Sequence, residues 1–296
     1  MLRRFELIRS TVRLPRLSAI FLAAVFAMLV AACSSMDKAI ESAPKPTARL
    51  LGAGIRDLRM QSVDLVFDVE VSNPYAVSLP LVNLNYAIGS GDQQLLAGSI
   101  KPSGSVPAGG SSVIQLPARV DLPAVLKTLS GAKPGTLVPY TAHLNVIVEP
   151  PLLGPMTLPL KRSGEIPIPA VPEINLTSFD IDALSLEKIS GTARLRIRNT
   201  NQFAIDLSQI RFDLALGGKK VASARLRNTS KLGPGQSVTV DLPIAVSPHS
   251  AGTGLLNLLG GNDAGYAISG RLDVMTRYGE LALPFSESGN TRVRHP

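Results

Sequence analysis

Residues 63–72 alternate between apolar and mostly polar side chains. A period of two places successive side chains on opposite faces of a β-strand, so one face is apolar and the other is polar. The apolar set is Val63, Leu65, Phe67, Val69 and Val71. Asn73-Pro74 follows at once, and proline lacks the N–H group that a paired strand needs. The pattern predicts a strand with one buried face that ends at Asn73.

The same pattern returns 126 residues later, in residues 189–199. Pairs that coincide under this ungapped shift are Asn73 with Asn199, Leu84 with Ile210, Tyr86 with Phe212, and Tyr140 with Tyr266. Leu158-Pro159 matches Leu283-Pro284 after the shift changes by one residue. Agreement of strands, turns and prolines over about 120 residues indicates an internal duplication.

Each copy contains about seven short strand patterns separated by Gly and Pro, which is typical of a β-sandwich. One helix is predicted in each copy. In the first, Asp121 caps the helix, Pro123 lies in its first turn and Gly131 follows its end. In the second, the helix spans residues 253–260. The predicted fold is mainly β, with two fibronectin-III-like antiparallel β-sandwich domains that carry one short helix each.

The repeat and the local composition also predict the domain boundaries. A tether covers residues 33–48, and the first sandwich covers residues 49–168. A stiff, proline-rich linker at 169–172 joins it to the second sandwich at 173–293.

The amino terminus resembles a bacterial lipoprotein signal peptide. Residues 1–18 are rich in arginine, and the apolar stretch that follows at 19–30 is too short to span a bilayer comfortably. The small residues Val30, Ala31 and Ala32 then precede Cys33, which is the only cysteine of the chain.

The lipoprotein resemblance implies cleavage before Cys33 and acylation of its thiol, which would anchor the chain to a membrane. Because Ser34 rather than Asp follows the cysteine, it also implies export to the outer membrane, with the chain held at the periplasmic leaflet of the cell envelope. An ordinary secretory signal followed by an incidental cysteine is the alternative.

Composition argues against several classes of function. Aromatic residues make up 4% of the chain and Trp is absent, which leaves little for base stacking. Half of the formal charge of +8 lies in residues 1–32, where five arginines face one glutamate, so we expect no nucleic-acid partner. One cysteine and three scattered histidines argue against a metal site, and no cofactor motif or catalytic constellation is evident. We therefore expect a protein that is not an enzyme.

The strand that ends in Asn73-Pro74, the strand that closes on Tyr86, and the turn around Pro107 together resemble the WHy (water stress and hypersensitive response) domain of the group 2 late embryogenesis abundant proteins. The likeness covers roughly residues 49–168 and 173–293. It departs from the family pattern at Thr200, where a proline is missing, and at Tyr75, where the family often has a second asparagine. The family implies folded sandwiches, a link to desiccation and no catalytic site.

Charged residues mark the polar face of the repeated strand. Asp64, Asp68 and Glu70 form an acidic stripe in the first copy, and Arg194, Arg196 and Arg198 form a basic stripe in the second. Both could simply be solvated strand faces. Alternatively, the stripes pair with each other between domains or molecules. A further hypothesis is that the basic stripe contacts anionic lipid together with Arg225 and Arg227.

Together these features predict a non-enzymatic envelope lipoprotein with a protective or adaptor role in the desiccation response. Its expected partners are the membrane, through the acyl chains, and envelope proteins or anionic lipids. The alternative is a lipid-binding or lipid-transfer lipoprotein with an apolar groove between helix and sheet. The leucines of the segment 122–129 would line that groove, although packing of the helix on the core explains the same pattern.

Overall fold

The computed structural model describes residues 44–150, 153–184, 189–216, 218–227, 229–246, 264–291 and 293–294. The predicted signal peptide, the lipobox with Cys33 and the predicted helix at 253–260 lie outside these residues.

The first domain contains eight strands and one helix among the described residues. These are β1 (Thr47–Leu58), β2 (Ser62–Ser72), β3 (Leu79–Ser90), β4 (Gln93–Ile100), β5 (Ser105–Val106), β6 (Ser111–Asp121), α1 (Leu122–Thr128), β7 (Leu137–Val148) and β8 (Met156–Pro167). One sheet has the order β1-β2-β6, and the other has the order β4-β3-β7-β8 with β5 paired to β3. The strands reach 12 residues and are longer than the short strands expected from sequence.

The second domain repeats this order of elements. Its strands are β9 (Glu173–Leu184), β10 (Ile189–Arg198), β11 (Ile205–Leu216), β12 (Lys219–Arg227), β13 (Lys231–Leu232), β14 (Ser237–Val246), β15 (Ala264–Thr276), β16 (Gly279–Thr291) and β17 (Val293–Arg294). The two sheets are β14-β10-β9-β17 and β12-β11-β15-β16, with β13 paired to β11. The terminal strand β17 runs parallel to β9, and the other pairings between the described strands are antiparallel.

The irregularities of the two domains coincide as closely as their strands do. A β-bulge adds one unpaired residue to a strand and bends it, so its position is a sensitive marker of register. The bulged residues of the two domains correspond at a shift of 126, as Leu51 with Thr177, Arg56 with Asp182, Val82 with Ser208, and Leu95 with Val221. The tandem β-sandwich fold predicted from sequence is confirmed.

The inner faces of the paired sheets form the core. The five apolar side chains predicted to be buried on β2 are all inaccessible to solvent or nearly so. Phe67 on β2 lies opposite Ala53 on β1, whereas the equivalent positions in the second domain hold Ala193 and Phe179. The large and the small side chain have exchanged strands, so the volume of the core is conserved.

The helix α1 begins as its sequence predicts. The Asp121 carboxylate accepts a hydrogen bond from the Ala124 N–H at 2.8 Å, and the side chains of Leu122 and Val125 are buried. The expected stop at Gly131 is wrong. The helix ends at Thr128, because the backbone of Leu129 is already extended while its N–H still bonds to the Val125 carbonyl.

The two prolines of the linker between the domains, Pro169 and Pro172, are buried, as is Ile168 just before it. Its Ala170 N–H donates to the Asn201 side-chain oxygen at 2.8 Å, and the Asn201 amide donates back to the Ala170 carbonyl at 3.1 Å. These bonds hold the linker against the loop that follows β10.

A loop of the first domain also reaches the second domain directly. The Gly135 carbonyl accepts from the Gln202 N–H at 2.7 Å, and the Leu137 N–H donates to the Gln202 side chain at 2.9 Å. Gly135 has a φ of +88°, and a β-carbon there would lie 2.8 Å from the Thr200 carbonyl oxygen. Only glycine therefore fits this junction.

Candidate functional site

The acidic stripe on β2 is paired within its own sheet. The Arg119 guanidinium on β6 donates to the two carboxylate oxygens of Asp64 at 2.6 and 2.8 Å. Asp68 accepts from the Gln115 amide at 2.9 Å. Glu70 is bound by Arg49 of β1 and by the Ser111 hydroxyl. The stripe therefore lies on the outer face of the first sheet with its charge largely neutralised by neighbouring strands.

Hydrogen bonding lowers the pKa of two carboxyls of this stripe, Asp64 and Glu70. The bonds from Arg119 lower the pKa of Asp64, and the charges of Arg119, Arg59 and Arg56 act in the same direction, while burial opposes them. The hydrogen bond from Arg49 lowers the pKa of Glu70, aided by that guanidinium's charge.

Loss of the guanidinium in Arg119→Gln should lower the free energy of unfolding at neutral pH only slightly, because Arg119 is largely exposed and solvent screens the pair. Since the folded-state pKa of Asp64 is lowered, this contribution exists above the unfolded pKa and disappears as the pH falls through the folded value. Urea unfolding of wild type and variant at neutral and acidic pH measures the difference. If the difference in unfolding free energy between wild type and Arg119→Gln were the same at both pH values, the ion pair between Arg119 and Asp64 would not be its cause.

Arg196→Gln is the matched control for that measurement. It removes one exposed positive charge from the outer face of the other domain, where the described residues offer Arg196 no ion-pair partner. We expect its free energy of unfolding to differ little from wild type at either pH.

The basic stripe on β10 is partly neutralised in a similar way. Arg194 donates to Asp241 on β14 at 2.9 Å and lies 3.6 Å from Asp180 on β9. The hydrogen bond to Asp241 and that carboxylate's charge raise the pKa of Arg194. Arg198 lies 3.5 Å from Glu173, whereas Arg196 is exposed between its neighbours in the sheet.

The hypothesis that the acidic and basic stripes pair with each other inside one molecule is wrong. Among the described residues, each carboxylate of the acidic stripe has its partners in the first domain, and the ion pairs of the basic stripe all lie in the second domain. The register explains this outcome, because β1 and β6 bring complementary side chains beside β2 and the equivalent strands do so beside β10. Pairing between molecules stays a prediction.

The five arginines expected to form one lipid-contacting set lie on two different faces. The three on β10 belong to one sheet, and Arg225 and Arg227 belong to β12 in the other sheet. Outward side chains on the two sheets of a sandwich point in opposite directions. Their grouping into a single surface was therefore wrong, because sequence distance does not show which sheet a strand joins.

Sequence reasoning missed the role of Asn73 and its equivalent Asn199. Both are buried at the end of the repeated strand. The Asn73 amide donates to the carbonyls of Val77, Val106 and Pro107 at 2.8–3.1 Å. The Asn199 amide does the same for Phe203, Leu232 and Gly233. Coincidence of the two asparagines in the repeat was a usable signal, but two of the three carbonyl contacts of each lie more than 30 residues away and could not be deduced from it.

An open cleft of about 890 Å³ separates the turn after β1 from the outer face of the second domain. Arg59, Gln61 and Ser62 line one wall, and Arg211 and Arg271 line the other. Acidic side chains balance these charges: among the residues of this lining they are Asp57, Asp273 and Glu280. A neutral, mixed lining of this kind does not point to a particular small molecule.

The groove beside α1, about 480 Å³ in volume, is the place where the alternative of a lipid carrier would require an acyl chain. Leu129, Leu137 and Val138 line it, but so do polar residues such as Gln93 and Gln202. The apolar face of α1 packs into the core through Leu122 and Val125, which is the simpler explanation of its leucines.

The described residues lack two further kinds of feature. They contain no cluster of three or more His, Cys, Asp or Glu side chains that could hold a metal ion. No helix within them has the length and apolar character needed to cross a bilayer.

Comparison with known proteins gives the family. The model of the late embryogenesis abundant protein family matches residues 68–164 and again residues 194–289. The two segments begin at equivalent positions in β2 and β10 and end at equivalent positions in β8 and β16. Each copy of the family model therefore corresponds to one sandwich.

Similar proteins from plants each align with about half of this chain. A desiccation protectant protein Lea14 homolog from Glycine max is 25% identical over 135 residues, which cover 46% of this chain and 89% of that protein. The late embryogenesis abundant protein Lea14-A from Gossypium hirsutum is 25% identical over 139 residues, which cover 47% and 91%.

A solved structure is also similar to part of this chain. The solution structure of AT1g01470 from Arabidopsis thaliana is 24% identical, with a TM-score of 0.36, and covers 43% of this chain and 84% of its own. Since the family model accounts for well over half of the sequence in two copies, the chain belongs to the late embryogenesis abundant family, group 2, and carries two of its domains in tandem.

Proposed function

We propose that this chain is a non-enzymatic protectant, or an adaptor for other protective proteins, that works during desiccation or water stress. The observation that carries the proposal is the double match to the late embryogenesis abundant family, one copy for each complete sandwich. Plant proteins that align with it are named as desiccation protectant or desiccation-related proteins. The WHy-type pattern around Asn73 and Asn199 agrees with this role.

The geometry favours a function that depends on contacts at the protein surface rather than on catalysis. Most charged side chains of the two stripes pair with neighbouring strands, and the buried polar groups Asn73, Asn199 and Asn201 all hold loops in place. The three asparagines thus stabilise the fold. Most charged residues of the two stripes form structural ion pairs, and none of the described stripe residues is arranged as a catalytic acid–base pair. Protection would then come from contact between the outer sheet faces and other proteins or membranes.

The proposal includes an anchor in the cell envelope. Acylation of Cys33 after the lipobox Val30-Ala31-Ala32 would hold the tandem domains at the periplasmic leaflet of the outer membrane. The short segment before β1 would separate the first domain from that surface. Envelope proteins and the membrane itself are the partners that this location offers.

The test is survival of the source organism through drying. A deletion strain should survive less well than wild type, and complementation with the intact gene should restore survival. A strain that carries Cys33→Ala separates location from fold, because the domains remain but the acylated thiol is lost. We expect Cys33→Ala to resemble the deletion.

Equal survival of deletion and wild-type strains would overturn the protective role. If the Cys33→Ala strain survives drying fully while the deletion strain does not, the protective role stands but the anchored location is overturned. Fractionation of the wild-type envelope and mass spectrometry of the amino terminus check the acyl chains directly.

A further inference from the structure

Three arginines lie side by side across the outer face of the second domain. Arg225 on β12 is the direct cross-strand neighbour of Arg211 on β11, and Arg211 is the direct neighbour of Arg271 on β15. We call these three residues the arginine row. Like charges placed directly opposite each other destabilise a sheet. Such a row therefore needs either a compensating acid or a ligand.

Compensation inside the protein is incomplete. Asp273 binds Arg211 and Arg271, each at 2.6 Å. Among the described residues no carboxylate lies within ion-pairing distance of Arg225, or of Arg227 at the next outward position of β12, and both are exposed. The nearby Asp213 is already bound by Lys220 and by the Ser223 hydroxyl. The face keeps an excess of positive charge.

The first domain shows that the fold does not require these charges. The positions equivalent to Arg225, Arg211 and Arg271 hold Ser99, Asn85 and Asn145, and these neutral residues occupy the same register. Two sandwiches with the same strand order therefore differ in charge at one face. The arginine row is a property of the second domain and not of the architecture.

We propose that the arginine row, together with Arg227, docks the second domain on the phosphate headgroups of an anionic membrane. The planar guanidinium matches phosphate oxygens in a bidentate fork. Arg225 and Arg227 are exposed on the open part of the sheet, and Arg211 and Arg271 continue the row into the wall of the cleft that faces the turn after β1. A row of this kind fits an extended array of phosphates, and Met275 on the same face is 44% exposed. This inference deepens the proposed function and rests on the chain working beside a membrane.

Flotation of the purified full chain with vesicles tests the proposal. Affinity is measured for vesicles of phosphatidylcholine alone and for vesicles that also contain phosphatidylglycerol. The amino terminus is the same in wild type and variants, so its contribution cancels when their ratios are compared. Each arginine near an anionic surface contributes about fivefold, so Arg225→Ser with Arg227→Ser should lower the ratio about 25-fold. High salt should lower the wild-type ratio in the same way.

Arg196→Ser with Arg198→Ser is the matched control, since it removes two exposed arginines from the opposite face of the same domain. The control should retain most of the wild-type ratio. Equal losses in both double variants would overturn the proposal, because attraction would then follow net charge alone. Tight binding of inorganic phosphate to the full chain without vesicles, abolished by Arg225→Ser, would overturn the membrane assignment in favour of a free anion.

Both double variants are first compared with wild type by circular dichroism and thermal unfolding. Arg225 and Arg227 have no described partner, so we expect no change in fold. The vesicle test and the drying test can fail independently. If the vesicle ratio does not respond to Arg225→Ser with Arg227→Ser, membrane docking by the arginine row is overturned. Death of the deletion strain on drying would still support the protective role.

Discussion

Replacement of Asn73 by Asp should lower the free energy of unfolding by about 3–5 kcal/mol at neutral pH, although the two side chains have the same shape. The Asn73 side chain is buried, and its amide nitrogen donates to three backbone carbonyls. A carboxylate at that position would face the same oxygens without a proton to share. The Tyr75 N–H, which now donates to the Asn73 side-chain oxygen at 3.0 Å, would be the one donor left to a buried charge, and three carbonyls would lose theirs.

The pH dependence of Asn73→Asp identifies the cause. Burial and the surrounding carbonyl oxygens disfavour the charged form, so the pKa of the new carboxyl should be raised in the folded state. A raised folded-state pKa means that the deficit is largest above that value and shrinks as the pH falls through it. Denaturant unfolding at neutral and mildly acidic pH should show this recovery.

Asn199→Asp should behave in the same way in the second domain. Asn145→Asp, on the outer face of β7, is the control for adding a negative charge, and it should change stability little. A deficit at Asn73 no larger than that at Asn145 would show that the buried amide does not hold the loop.

Gly270→Ala should destabilise the second domain by about 3 kcal/mol or more. A β-carbon at position 270 would lie 2.0 Å from the carbonyl oxygen of Arg211 and 2.9 Å from the Cα atom of Phe212. Both atoms belong to the backbone of the neighbouring strand, so no side-chain rotation relieves the collision. The strands β11 and β15 would have to separate at the centre of their sheet.

Gly54→Ala is the matched control, because it lies in strand β1 and its β-carbon would meet no atom within 4 Å. We expect its melting temperature to stay close to that of wild type. A melting temperature of Gly270→Ala within the same range would contradict the close approach of β11 and β15.

Features that depend on neighbouring residues could be predicted from the sequence. Alternation along residues 63–72 identified the buried face of β2, because side-chain direction in a strand depends only on position. Asp121 and Pro123 identified the start of α1 for the same reason, since a cap is a local hydrogen bond. The duplication revealed the second domain without any structural information.

Features that depend on register could not be predicted in this way. Arg211, Arg225 and Arg271 are separated by up to 60 residues, and they meet only because three strands pair with particular offsets. The partners of the two charged stripes depend on the same kind of alignment. A bulge such as that at Ser208 changes the alignment by one residue, and no local pattern marks it.

The buried junction between the domains determines how the pair can be used. Gly135, Ala170, Asn201 and Gln202 are joined by backbone and side-chain hydrogen bonds, so one sandwich cannot swing relative to the other without breaking them. Two domains on a flexible linker could each bind a separate target independently. This tandem instead forms a rigid spacer, which holds the outer sheet of the second domain at a set distance and angle from the first domain.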